Sequence, residues 1–296
     1  MQLTLSKMIP APLGTYLKFA YTIESIGAFL LSDGEKVVLL RTDGSIDLIA
    51  NLDGEPYQWG GVGADFEVEI LQRRVNGFKS LTRYERQRLK ESAIYKSTRN
   101  IPIVNYAHDD VILFFAGKSI ALLKWVGEEL VELKRTRTKG RDPIRWALAP
   151  EQNMLLYGTN YGELYSQTFG RDCFIKSVKV DQLPNTCYQI TFSPDGRRMF
   201  AGGLGFIRSY TFDGSTFTPD MSIATAMRSF ELVEDYIIIN KGIHGLDVIR
   251  VKDKPERVTS LDLPFMIDKM YFLAPQKALL LISGNTSDWA LFKLSC

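Results

Sequence analysis

The sequence predicts an all-β fold: a single seven-bladed β-propeller of four-stranded antiparallel blades over residues 1–296, with residues 1–9 as the closing strand of the last blade. Three observations carry this. Glycines recur at 44, 77, 117, 162, 205, 245 and 284, at intervals of 33, 40, 45, 43, 40 and 39 residues, a mean of 40. A period near 40 matches four strands per blade. Gly44, Gly77, Gly117, Gly205 and Gly245 each separate an apolar run from a second, alternating run, and at Gly162 the runs flank a longer Gly-Thr-Asn-Tyr-Gly turn. Asp-Gly pairs punctuate the runs, because glycine reaches positive φ without steric cost.

In chain order, Gln2–Ile9 alternates apolar and polar residues and has no repeat of its own. Ile26–Leu31 reads as the first strand of blade 1, Lys36–Arg41 as the second and Ser45–Asn51 as the third, with Asp33-Gly34, Asp43-Gly44 and Asp53-Gly54 as turns. Thr82-Arg-Tyr-Glu85 is a capping-box pattern ahead of good helix formers. Aligning Gly77 with Gly117 instead places Phe78–Tyr84 and Leu89–Tyr95 on strands, and that reading is preferred. Blade 5 runs through Tyr188–Ser193, Pro194-Asp195-Gly196, Arg197–Gly202, Phe206–Phe212 and Asp213-Gly214. After Gly284 only Trp289–Leu294 remains, so the last blade lacks an outer strand. The N-terminal segment can fill that place and remove a free sheet edge.

The run Ile190-Thr-Phe-Ser-Pro-Asp-Gly-Arg-Arg-Met-Phe-Ala-Gly-Gly resembles the first hairpin of a WD-repeat blade. Leu148-Ala-Pro-Glu-Gln-Asn-Met-Leu-Leu-Tyr and Leu273-Ala-Pro-Gln-Lys-Ala-Leu-Leu-Leu-Ile are weaker echoes. The rest of the WD pattern is missing. No blade has a Gly-His pair feeding its first strand, none ends its third strand in Trp-Asp, and the chain holds two histidines. The resemblance implies a WD-like propeller with degenerate repeats, in which the family's His–Ser–Asp–Trp network cannot be built in most blades.

Composition narrows the function classes. The chain has 36 basic and 34 acidic residues, a net charge of +2, so the molecule as a whole is not an electrostatic magnet for nucleic acid. Cys173, Cys187 and Cys296 are an odd set without a CxxC, which disfavours a disulfide framework or a structural zinc and favours a reducing compartment. The N-terminus has no secretory h-region, and no apolar run reaches the ~20 residues of a membrane span. The expected location is cytoplasmic, with no membrane partner. His108 and His244 lie far apart, and no HExxH, GxSxG, GxxxxGK[ST] or EF-hand loop occurs. No catalytic residue, metal ligand or cofactor is expected.

The main candidate site is basic. Lys134-Arg-Thr-Arg-Thr-Lys-Gly-Arg-Asp-Pro-Ile-Arg145 holds six cations and one acid. In the blade register it joins the outer strand of blade 3 to the inner strand of blade 4. Arg73, Arg74, Lys96 and Arg99 fall on the same face as Arg135, Arg137, Lys139, Arg141 and Arg145 by that register, whereas Arg86, Arg88 and Lys90 fall opposite. Trp59, Trp146, Tyr161 and His244 add aromatic and polar groups to that face. The bland alternatives are solvated loop charges and tryptophans packed between blades.

The expected function is a non-catalytic protein–protein interaction module, or a scaffold subunit of a complex, binding an acidic protein through one loop face. A phosphate or nucleic-acid binder would instead show steep salt dependence. A propeller hydrolase or lyase would show acids or a cation at a central channel. A protein-binding module requires an exposed apolar and aromatic patch rimmed by charge.

Overall fold

The computed structural model describes residues 1–13, 17, 19–33, 35–51, 68–73, 79–85, 88–95, 103–107, 111–116, 118–126, 129–140, 143–149, 153–252, 254–286 and 288–295. Among these residues the strands form seven antiparallel sheets, six of four strands and one of three. They are numbered here as blades in chain order.

Blade 1 contains Phe19–Ile23, Ala28–Ser32, Lys36–Arg41 and Ile46–Asn51; blade 2 contains Val68–Arg73, Lys79–Glu85 and Arg88–Tyr95. Blade 3 contains Ile103–Ala107, Val111–Ala116, Ser119–Val126 and Glu129–Arg137; blade 4 contains Pro143–Leu148, Met154–Thr159, Glu163–Phe169 and Phe174–Gln182. Blade 5 contains Cys187–Phe192, Arg198–Gly203, Phe206–Phe212 and Phe217–Ala224; blade 6 contains Ser229–Val233, Tyr236–Asn240, Leu246–Arg250 and Glu256–Leu261. Blade 7 takes Ile267–Leu273, Ala278–Ser283 and Asp288–Ser295 from the end of the chain and Gln2–Pro10 from its start.

Two compact units result, residues 1–133 with 271–296 and residues 134–270. In the first, the N-terminal strand pairs antiparallel with Asp288–Ser295, in a register running from Gln2 opposite Ser295 to Pro10 opposite Asp288, with one irregularity between Leu5 and Lys7. The pairing is fixed by burial. Ile9 is 2% exposed and packs in a cluster with Leu280, Leu291, Trp289, Phe29 and Leu40, whereas Leu5 on the same strand is 49% exposed.

Second strands are buried on both faces. Every residue of Ala28–Ser32, Met154–Thr159 and Ala278–Ser283 is buried. Alternate residues point to opposite faces of a strand. In blade 1, Phe29 and Leu31 enter the cluster of Trp289 and Leu280, while Ala28 and Leu30 join Ile23 and Leu39. In the second unit, Met199 and Ala201 pack with Leu156, Cys187 and Tyr210, while Phe200 packs with Phe230, Ile237 and Ile239. Each large apolar side chain so enclosed contributes about 1.5–3 kcal/mol. Fourth strands are exposed by contrast; Glu256–Leu261 is exposed at all but its last position.

The structure shifts the phase of blade 1. Ile26–Leu31 is not the first strand: Phe19–Ile23 precedes it, a 3-10 turn at Glu24–Ile26 intervenes, and Ala28–Ser32 is the second strand. Gly44 therefore lies between third and fourth strands, at the opposite end of its sheet from the turns that contain Gly162, Gly205, Gly245 and Gly284, which join second to third strands. Counted from the Asp33-Gly34 pair, the first interval becomes 43 residues and the irregular spacing of 33 disappears. Residues 79–85 and 88–95 are strands, so ladder pairing overrides the local capping-box signal.

Replacing Ile9 by Ala is expected to lower unfolding free energy by about 2–5 kcal/mol, because the emptied site is enclosed. Replacing Leu5 by Ala is expected to change it by less than about 0.5 kcal/mol. Urea unfolding of the two variants checks the pair; equal losses would mean the strand is not buried on one side only.

Candidate functional site

The second unit carries a surface built from equivalent turns. In blades 4, 5 and 6 the turn between second and third strands places an apolar side chain in solvent: Tyr161 (56% exposed), Leu204 (60%) and Ile243 (67%). Each precedes a glycine of positive φ, Gly162, Gly205 or Gly245. Glycine is required at 162 and 245, where a side chain would also press on the Leu183 and Asn185 carbonyls or collide with the Leu261 carbonyl.

These turns are held by hydrogen bonds to the segments linking successive blades. The Tyr161 N–H donates to Thr159 Oγ1 at 3.2 Å, and Gln182 Nε2 donates to the Tyr161 carbonyl at 2.8 Å. Leu183 N–H donates to the Gly162 carbonyl (2.7 Å) and Thr186 Oγ1 to the Asn160 carbonyl (2.8 Å). The next link repeats the motif: Thr225 N–H donates to the Gly205 carbonyl at 3.2 Å. Arg228 N–H donates to the Asn240 carbonyl at 2.8 Å, and Asn240 Oδ1 accepts from Gly242 N–H at 2.8 Å. The backbone is thus pinned while the apolar side chains project outward.

Tyr188, 39% exposed at the start of the first strand of blade 5, extends this surface. Its carbonyl accepts from Arg145 Nε at 2.6 Å, which fixes the Arg145 guanidinium beside it. His244 is exposed next to Ile243. Lys241 Nζ pairs with Asp247 Oδ1 at 2.7 Å. The Asp247 carboxyl is desolvated, yet Lys241 and Ser260 hold it below its usual range.

Below the turns, half-buried polar groups link neighbouring blades. Asp181 Oδ2 accepts from Arg208 Nη1 at 2.6 Å and from the Tyr210 hydroxyl at 2.5 Å, tying blade 4 to blade 5. Desolvation works against the Asp181 charge, and the hydrogen bonds from Tyr210 and Arg208 overcome it, so its pKa is lowered. Arg198 reaches Asp220 Oδ2 at 2.7 Å and the Val251 carbonyl at 2.9 Å, tying blade 5 to blade 6. Cys187 is buried and its thiol is pushed up to about 12 by that burial, so it packs and is not a nucleophile at neutral pH. Among the described residues no group of three His, Cys, Asp or Glu side chains is placed to hold a metal ion.

The basic run is divided by the strands. Arg135 and Arg137 lie on the fourth strand of blade 3, not in a loop; Lys139 follows in the turn, with its Nζ donating to the Ser177 carbonyl at 2.9 Å; Arg145 lies on the first strand of blade 4. Trp146 is half-buried on that same strand. Arg73 ends Val68–Arg73. Trp59, Arg74, Lys96, Arg99 and Arg141 lie outside the described residues. Sequence reasoning found Tyr161 and His244 but missed Leu204, Ile243 and Tyr188. The available signal was position: a bulky apolar residue one or two places before a turn glycine has no sheet face to enter.

No family model matches the chain, and no curated protein is similar to it in sequence. In structure it is similar to the β-propeller domain of Cps50 (Swd1) from Myceliophteria thermophila, with a TM-score of 0.76 and 10% identity over 99% of this chain and 100% of that one. The chain therefore has the β-propeller fold.

Two outcomes follow from the half-buried carboxyl groups. Asp181→Ala leaves the Tyr210 hydroxyl and Arg208 without their acceptor and is expected to cost about 1–3 kcal/mol in denaturant unfolding. Glu231, on the first strand of blade 6, has its carboxyl pushed up to about 8 by desolvation. Its neutral form is the one the fold accepts, so its contribution is fully present below its ordinary value of 4.5 and is lost as pH rises through about 8. Melting temperature should fall over that window, and Glu231→Gln should flatten the slope; an unchanged slope would remove Glu231 as its source.

Proposed function

We propose that this chain is a non-catalytic protein-interaction module, a scaffold subunit, that engages another protein through the turns of blades 4–6. The observation that carries the reading is the repetition of one arrangement three times: an apolar side chain, Tyr161, Leu204 or Ile243, exposed on a turn whose backbone is fixed by hydrogen bonds. Exposed apolar groups cost free energy in solvent and are expected where a partner covers them. Fixed turns lose little conformational freedom on binding, so more of the contact energy appears as affinity. Tyr188, Arg145 and His244 supply the aromatic and polar groups around the apolar ones, and aromatic and arginine side chains dominate the energetics of such surfaces.

Arg145 and His244 favour a partner whose contacting segment is acidic at its margin and apolar at its centre. The reading treats residues 1–296 as one propeller domain with residues 1–9 as its closing strand. Free thiols at Cys173 and Cys187 suit a reducing, cytoplasmic setting. The propeller fold itself is compatible with this use and with many others.

The test is affinity capture from the native cell with wild-type bait and with a Tyr161→Ser, Leu204→Ser, Ile243→Ser bait. A protein recovered in stoichiometric amount with the first and lost with the second, at unchanged melting temperature, is the expected outcome. Equal recovery by both baits would place binding elsewhere on the molecule.

A further inference from the structure

Residues 134–139 and the fourth strand of blade 4 carry a second concentration of charge that the turn surface does not use. Within the second unit, Lys134, Arg135 and Arg137 are exposed on the end of Glu129–Arg137, and Lys139 is exposed in the turn that follows. Lys176 and Lys179 are exposed on Phe174–Gln182, the fourth strand of blade 4. The hydrogen bond from Lys139 Nζ to the Ser177 carbonyl brings the turn that follows Glu129–Arg137 against Phe174–Gln182. The oxygens that hold Lys139 and Lys179 are neutral ones, the Ser177 carbonyl and Gln182 Oε1. Their charge is therefore not cancelled by these contacts.

The same strand exposes large apolar side chains among its lysines, Ile175 at 68% and Val178 at 41%. Lysines on a sheet edge commonly serve to discourage pairing with other chains. Here they alternate with exposed aliphatic groups, which give no such protection. Phosphate-rich ligands would use the cations and leave Ile175 and Val178 in water, since nucleic acid is held by stacking on aromatic side chains and by cations. An extended protein segment that alternates carboxylates with aliphatic residues satisfies both sets.

We propose that the edge formed by Phe174–Gln182 and the end of Glu129–Arg137 is a separate docking surface for an acidic, aliphatic segment of a partner protein. Complementary charge steers the segment in and makes the encounter fall with salt. Ile175 and Val178 contribute apolar contact that does not depend on salt. The edge adjoins the Tyr161 turn, because Gln182 holds both Lys179 and the Tyr161 carbonyl, but it uses different side chains from the Tyr161–Leu204–Ile243 surface.

The test uses the full chain and a fluorescein-labelled peptide alternating glutamate with leucine and valine, read by anisotropy at about 50 to 500 mM NaCl. Wild type should bind, with affinity falling as salt rises. Lys176→Glu with Lys179→Glu should weaken binding about tenfold or more at low salt. Ile175→Ser with Val178→Ser should weaken it several-fold at every salt concentration, and Tyr161→Ser with Leu204→Ser should leave it unchanged. Lys176→Arg with Lys179→Arg should retain binding, which separates charge from damage to the strand. Absence of peptide binding, insensitivity to the charge reversals, loss through the Tyr161 and Leu204 changes, or tighter competing binding by oligo(dT) or phosphatidylserine vesicles would each overturn the proposal.

Discussion

The structure depends on one constraint: the second strand of each well-described blade is apolar on both faces. Ala28–Ser32, Met154–Thr159 and Ala278–Ser283 leave no position for solvent. A sheet with such a strand cannot stand alone or lie on a core by one face only; it must be covered twice. Blade 1 shows the consequence residue by residue, with Phe29 and Leu31 committed to one cluster and Ala28 and Leu30 to another. This is why the repeat is needed and why the last repeat borrows a strand from the chain's beginning. Without Gln2–Pro10, the ladder of Asp288–Ser295 and the side chains around Trp289 would face water.

The constraint also decides where function can reside. Blade faces are committed to packing, so strand ends and sheet edges remain. At the ends, hydrogen bonds from the links between blades hold the turns in place, and the apolar side chains at 161, 204 and 243 have nowhere to fold back. At the edge, fourth strands carry the charge. Polar networks at Asp181 and Asp220 lock neighbouring blades from beneath. Rigidity under the surface and exposed apolar groups on it are two results of one packing scheme.

Much of this scheme was legible in the glycine interval, because a turn of positive φ excludes nearly every other residue and so leaves a mark, as at Gly162, Gly205 and Gly245. The alternation of Gln2–Ile9 marked it as a strand, although within it only Ile9 is buried and Leu5 and Met8 face solvent. What misled was local. Ile26–Leu31 looks like a first strand because Phe-Ala-Tyr-Thr-Ile at 19–23 joins it through a 3-10 turn instead of an Asp-Gly pair. The short interval before Gly77 was the visible trace of that slip. The run 134–145 looked like one basic loop because sequence spacing cannot say where a strand stops, and the strand runs on to Arg137. Leu204 was hidden in a glycine-rich turn, where its exposure follows from the pairing of Gly203 with Phe206.

The measurement that bears most directly on this account is amide hydrogen exchange across the chain, free and in complex with the partner recovered by the wild-type protein. Slowing concentrated at residues 160–162, 203–205 and 242–245, with second strands already protected in the free protein, is the predicted result. Slowing confined to the opposite ends of blades 4–6, with those three turns exchanging as freely as before, would contradict it.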